Sequence, residues 1–284
     1  VHVARVGEGG TDLLPRAHVP QPHGPVVRRA GEPPAVGRPG HRGHLALVAR
    51  EGGADRRVVM QAPKNGFFYV LDAADGELIS ATPFTQQNWT TGEFDENGRP
   101  VLIQDAVDMA LTVVIPGPTG AHNWHPMAFN PDTGLVYIPV NEFPFFYDKT
   151  RNVEDSKSFW NLGYDAAAGW PVEYPAGTLD AVADLDGGSL LAWDPVKAEP
   201  RWAVPFALPL NGGVLSTDAG LVFQGNKFGD LVAYDAETGE RLWSEQLVGN
   251  AAAAPMTYEI DGEQYLSCLL YSSDAADEGL GVDL

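Results

Sequence analysis

The chain has 284 residues, 44% of them hydrophobic, and a formal net charge of −20. That apolar share is enough for a sizeable core and argues against wholesale disorder. The acidic balance argues against a nucleic-acid or anionic-membrane partner, both of which attract Lys and Arg. The single cysteine, Cys268, leaves no internal disulfide framework, thiolate zinc cluster or iron–sulfur site, and no C-x-x-C-H haem attachment is present. No apolar run approaches the roughly 18 residues of a membrane span.

Residues 1–57 stand apart. They hold nine of the arginines and five of the seven histidines against five acids, with prolines scattered throughout. No aromatic residue precedes Phe67, and all 12 Phe, 7 Trp and 9 Tyr lie from there onward. Neither helical nor alternating periodicity persists there for more than a few residues. The segment reads either as a basic irregular or disordered arm, or as GC-rich DNA translated out of frame; the abruptness of the change favours the second. No function is assigned to it.

From Val58 the chain repeats itself. The clearest unit, Leu221 to Trp243, reads as strand, Gly-centred turn, strand, Asp-x-x-x-Gly turn and a third strand ending on Trp. Its second half, AYDAETGERLW (Ala233 to Trp243), matches AWDPVKAEPRW (Ala192 to Trp202). Looser copies are VLDAADGELIS (Val70 to Ser80) and FNPDTGLVYIP (Phe129 to Pro139). Asp caps such a turn and Gly supplies its positive φ. β-Branched and aromatic flanks make short antiparallel strands. The closing Trp is expected to pack over the neighbouring unit with its indole N–H on a backbone carbonyl. A period near 40 residues with about four strands predicts an all-β fold, a β-propeller of about four blades over 58–271. A sandwich of hairpins is the alternative. Asn141 to Leu179, rich in aromatics and Pro, reads as a long loop over one face, and 272–284 as an irregular acidic tail.

Six segments then resemble the quinoprotein alcohol dehydrogenases, which use pyrroloquinoline quinone (PQQ). They are QAPKNGFFYVLD, NWTTGEFDENGRP, PGPTGAHNWHPMAFNPDTGLVYIPV, GGSLLAWDP, LNGGVLSTDAGLVFQG and APMTYEIDGEQY, in family order from residue 58 to about 270. The resemblance implies the C-terminal half of an eight-bladed propeller holding PQQ and calcium near its axis. It implies that Lys64 reaches the quinone oxygens, where an ammonium would stabilise developing negative charge. Asn123 and Trp124 match positions lining the cofactor, and Asn211, in LNGG, matches a segment near the funnel, with Leu210 departing from the Trp often found there.

The family's catalytic Asp would fall near residues 34–37, which read Pro-Ala-Val-Gly. The calcium ligands, the Trp under the cofactor and the paired cysteines also belong to the family's other half. The expectation is therefore a fragment, opening on Val1 without a visible signal peptide, of an enzyme that oxidises alcohols to aldehydes by hydride transfer. No catalytic or metal residue is assigned within it. By resemblance the enzyme is periplasmic, with a small alcohol as substrate and a cytochrome c as electron acceptor. A non-catalytic propeller scaffold is the alternative. His122 and His125 lack a third ligand nearby and read as packing or turn residues. GLVFQGNK lacks Gly-Lys-Ser/Thr, so a P-loop is rejected.

Overall fold

The computed structural model describes residues 2–6, 45–51, 54–103, 111–148, 185 and 187–270. In chain order its strands are β1 (His2–Val6), β2 (Leu45–Glu51), β3 (Ala54–Gln61), β4 (Phe67–Asp72), β5 (Leu78–Pro83), β6 (Thr90–Phe94), β7 (Pro100–Leu102), β8 (Leu111–Val114) and β9 (Ala128–Asn130). There follow β10 (Leu135–Asn141), β11 (Phe145–Asp148), β12 (Gly188–Asp194), β13 (Glu199–Phe206), β14 (Val214–Ser216), β15 (Leu221–Gly225), β16 (Asp230–Asp235), β17 (Arg241–Gln246), β18 (Met256–Ile260) and β19 (Glu263–Cys268). Three four-stranded sheets run β2-β3-β4-β5, β9-β10-β12-β13 and β14-β15-β16-β17. A three-stranded sheet runs β1-β19-β18, and β6-β7 and β8-β11 form two ribbons.

The cores lie between sheets rather than within one. All seven residues of β10 are buried, so this strand is apolar on both faces. Alternation sends Val136, Ile138 and Val140 toward Val58, Met60, Phe68 and Val70 of the first sheet. It sends Leu135 and Tyr137 the other way, onto Val222, Val232 and Tyr234 of the third. Phe223, Leu231 and Ala233 then meet Leu266 and Cys268 of the last. Sheets stacked side by side, each in contact with its neighbours through both faces, are the blades of an incomplete β-propeller.

The repeat unit corresponds to the outer half of a blade. Val70/Leu71, Ala192/Trp193 and Ala233/Tyr234 carry the same register shift at the same place, just before the turn aspartate. In each turn the Asp side chain accepts main-chain N–H groups, as Asp235 Oδ1 does from Glu237 and Thr238 at 3.0 and 2.9 Å. FNPDTGLVYIP is not a fourth copy. It joins β9 to β10, the inner pair, without a register shift. Its turn is similar because Asn130 caps it with its side chain as Asp does elsewhere. Four-residue turns recur wherever short strands reverse, so the turn alone does not say which strands it joins.

Trp202, which closes the middle blade, donates its indole N–H to Ala236 O of the next at 3.1 Å. The Tyr137 hydroxyl donates to the same oxygen at 2.9 Å. Gly239 sits under the indole: a Cβ there would come within 2.7 Å of the Trp202 ring. The equivalent residue in the middle blade is Ala198, at φ 56°. The first blade has Ser80 in place of the Trp, so no indole arrives and a methyl group is tolerated.

Two stretches within 1–57 run as strands. β2 pairs with β3 from Leu45↔Met60 to Glu51↔Ala54, and β1 pairs with β19. Strand pairing is a main-chain interaction and requires no side-chain periodicity, so an available blade edge can take up such segments. The long stretch from Asn141 begins with β11, paired to β8. Residues 149–184 and the acidic tail 272–284 lie outside the described residues.

Trp202→Ala should lower stability by about 2 kcal/mol, the cost of truncating a partly buried aromatic. Gly239→Ala should cost about 1–2 kcal/mol through its positive φ and the indole contact. The double variant should cost less than the sum, because removing the indole relieves the contact. Urea midpoints of the four proteins measure this; strict additivity would refute blade docking through Gly239.

Candidate functional site

In an up-and-down blade, the loop entering the first strand and the turn between the second and third lie at the same end. In the first blade that turn, β3–β4, carries Lys64. In the second, the loop entering β9 carries Asn123 and Trp124. In the third, the loop entering β14 carries Asn211, and the β15–β16 turn carries Lys227. All four expected residues therefore lie on one face. The described clefts lie at the other end: one of about 410 Å3 by Ser216–Ala219, and one of about 610 Å3 between Tyr69, Phe94 and Asp95.

Lys64 is mounted on the turn 117–120. Its Nζ donates to Pro118 O at 3.0 Å, and its own carbonyl accepts Ala121 N–H at 2.9 Å. Gly120, at φ 76°, lies so close that a Cβ would come within 2.4 Å of Lys64 Cβ. Asn65 stiffens the lysine's turn by accepting Phe67 N–H and donating to the Tyr69 hydroxyl at 2.7 Å. The next carbonyl of the mount, Thr119 O, accepts Asn123 Nδ2 at 2.9 Å. Lys64 and Asn123 thus rest on consecutive carbonyls. The Thr119 hydroxyl is buried without a hydrogen-bond partner among the described residues.

The neighbouring histidines are supports. His122 is buried, with Nδ1 2.6 Å from Ala62 O and Nε2 2.6 Å from His125 O. It ties the Lys64 turn to the Asn123 loop. Both carbonyls favour the protonated ring, but burial opposes them more strongly and holds its pKa below the ordinary value. His125 is buried too, and Trp124 stacks on it with ring centroids 3.9 Å apart while remaining 60% exposed. Burial, with the positive charges of His122 and Lys227, pulls the His125 pKa down to about 4.

Asn211 is turned inward. It is buried, donating to Leu208 O at 2.7 Å and accepting Lys227 N–H at 3.3 Å. It thereby braces the turn that presents Lys227. Asn141 joins this half to the other, accepting Leu210 N–H at 2.6 Å and donating to Gly120 O at 3.2 Å. Thr119, Gly120, Asn141 and Lys227 were not singled out from sequence for roles here; the close approach of Gly120 was the only local signal, as a glycine in a Pro-Thr-Gly turn. The wall so assembled offers two exposed ammonium groups, a flat exposed indole and a side-chain amide. That set suits a flat, anionic ligand with hydrogen-bonding edges.

A protein-family profile described as "Glucose/ethanol/alcohol dehydrogenase, beta-propeller domain" matches residues 175–266. The chain is 44% identical over 222 residues to quinohemoprotein alcohol dehydrogenase ADH-IIG of Pseudomonas putida, spanning 76% of this chain and 30% of that relative. It is 39% identical over 226 residues to 1-butanol dehydrogenase (cytochrome c) of Thauera butanivorans, spanning 76% and 31%. The crystal structure of quinohemoprotein alcohol dehydrogenase from Comamonas testosteroni superposes with a TM-score of 0.67 at 40% identity, over 80% of this chain and 34% of that one. The chain thus spans about a third of the length of these proteins.

A depressed histidine pKa means that the folded form stays neutral while the unfolded form takes up a proton near pH 6.5. The stability contributed by neutral His125 is complete above about pH 6.5 and is lost as the pH falls toward 4. The melting temperature should therefore fall across that window, with a slope of at most about 1.4 kcal/mol per pH unit for this one proton. His125→Asn should flatten the profile; an unchanged slope would show that this ring does not titrate there.

Proposed function

The chain belongs to the PQQ-dependent (quinoprotein) alcohol dehydrogenases, and from that premise we propose that its lysine-bearing face forms one wall of a PQQ site serving the oxidation of alcohols to aldehydes. The observation that carries the reading is the mount: Lys64 and Asn123 held on the consecutive carbonyls of Pro118 and Thr119.

PQQ is a flat quinone bearing carboxylates, and when bound it supplies the hydride acceptor. Lys64 places an ammonium at the wall, bonded among the described residues to a neutral carbonyl and exposed, so it can turn to an oxygen on which negative charge develops. Asn123 keeps one amide N–H beyond its bond to Thr119 O for a ligand oxygen. Trp124 offers an exposed face for a flat ring, backed by His125 so that it cannot fold inward. Asn211 contributes by fixing the loop and turn around it. No base is assigned in this chain. Among the described residues no cluster of three His, Cys, Asp or Glu could hold a metal ion. These residues therefore do not fit a calcium site, and nothing is derived through that ion. The same premise suggests a periplasmic protein that passes electrons to a cytochrome c, the acceptor named for the Thauera relative.

Titrating PQQ into the purified chain by equilibrium dialysis tests the reading. The wild type should bind, and Lys64→Gln should weaken binding about tenfold to a hundredfold, the worth of a hydrogen bond to a charged group. Lys197→Gln, on an outer turn, should change nothing. Absence of PQQ binding, with no alcohol-dependent dye reduction, would favour a non-catalytic propeller scaffold.

A further inference from the structure

We propose that Lys227 is a second cationic contact of the same site, one that recognises a carboxylate of the ligand rather than a quinone oxygen; the assignment rests on the quinone reading above. Lys227 lies in the β15–β16 turn, a blade away from the Asn123 loop and two from Lys64. That turn is wired rigidly. Asn226 Oδ1 accepts both Phe228 N–H and Asp230 N–H at 2.9 Å, and Gly229 takes φ 87° to close it. The Lys227 main chain is then pinned to buried Asn211. Asn211 is next in sequence to Leu210, which is held by Asn141, and Asn141 is held by Gly120 under Lys64. A continuous chain of bonds and contacts therefore sets one lysine's position relative to the other.

The turns that bear the two lysines lie at the same end of the blades as the loop 118–125. Lys64 bonds at its start, on Pro118. Lys227 sits on the turn pinned by buried Asn211, and the influence of its charge on His125, the ring on which Trp124 lies, agrees with that placement. A flat ligand resting on Trp124 and Asn123 would lie on the face that carries both exposed lysines. The chain carries a net charge of −20, which opposes any polyanionic ligand, so local cations are needed to offset that field. Lys227 is exposed, and its nearest sequence acid, Asp230, is engaged by the Asn226 amide at 2.9 Å. An exposed ammonium acts as a point charge with little geometric demand. Recognition of a full negative charge suits it better than orientation of a quinone oxygen.

The test compares PQQ with its neutral trimethyl ester in binding to the wild type, Lys227→Gln, Lys227→Arg and Lys64→Gln. Lys227→Gln should weaken PQQ about threefold to fivefold, reduce the salt dependence of its binding and leave ester affinity unchanged; Lys227→Arg should restore PQQ binding. Lys64→Gln should weaken both ligands. An undiminished affinity of Lys227→Gln for PQQ, or an equal loss for both ligands, overturns the assignment while leaving the quinone reading intact. Failure of the wild type to bind either ligand overturns both.

Discussion

The carbonyl oxygen of Ala236 receives two donors from the preceding blade, the indole of Trp202 and the hydroxyl of Tyr137. This junction expresses the constraint under which the described blades exist. Their central strands are apolar on both faces, so a blade gains its core only from its neighbours. Apolar burial is non-directional and would allow adjacent sheets to slide. The two hydrogen bonds, and the Gly239 backbone beneath the indole, fix their relative position. The absence of a Trp at Ser80 and the presence of Ala198 are two sides of the same constraint at the preceding junction.

Because blade spacing is fixed, loops distant in sequence meet at one end. Lys64, the 117–125 loop, Asn141, the Leu210–Asn211 segment and Lys227 come from three blades and are joined by hydrogen bonds and close packing. Few of these bonds involve groups left exposed. Buried amides such as Asn141 and Asn211 spend their hydrogen-bonding capacity on the protein, while the exposed Lys64, Trp124 and Lys227 are held in place by them. Inward-facing polar groups must be satisfied internally, and this divides the wall into residues that hold and residues that present.

Much of the fold was legible in the sequence. Asp-x-x-x-Gly turns with a distal Trp are local patterns, and the turn geometry and the Trp202 docking follow from them. FNPDTGLVYIP was placed in the wrong part of the blade because a capped four-residue turn is the same object between inner strands as between outer ones. For the site, a matched motif could identify Lys64, Asn123 and Trp124 as side chains that reach one face. It could not show that Asn211 turns inward, since an amide's direction depends on which donors and acceptors surround it. Lys227 sat in the Gly-centred turn of the repeat, a string that also failed as a P-loop, and its place on the face arises from the main-chain bond to Asn211.

By itself the sequence determined the strand and turn grammar, the blade architecture and the family, because these depend on residues close together along the chain or on ordered strings of them. The tertiary structure decided which strands each turn joins, which polar side chains are consumed as supports, and that the turns bearing the two lysines lie at one end with the exposed indole. Those outcomes depend on the spacing between sheets, which is set where an indole from one blade meets a glycine in the next.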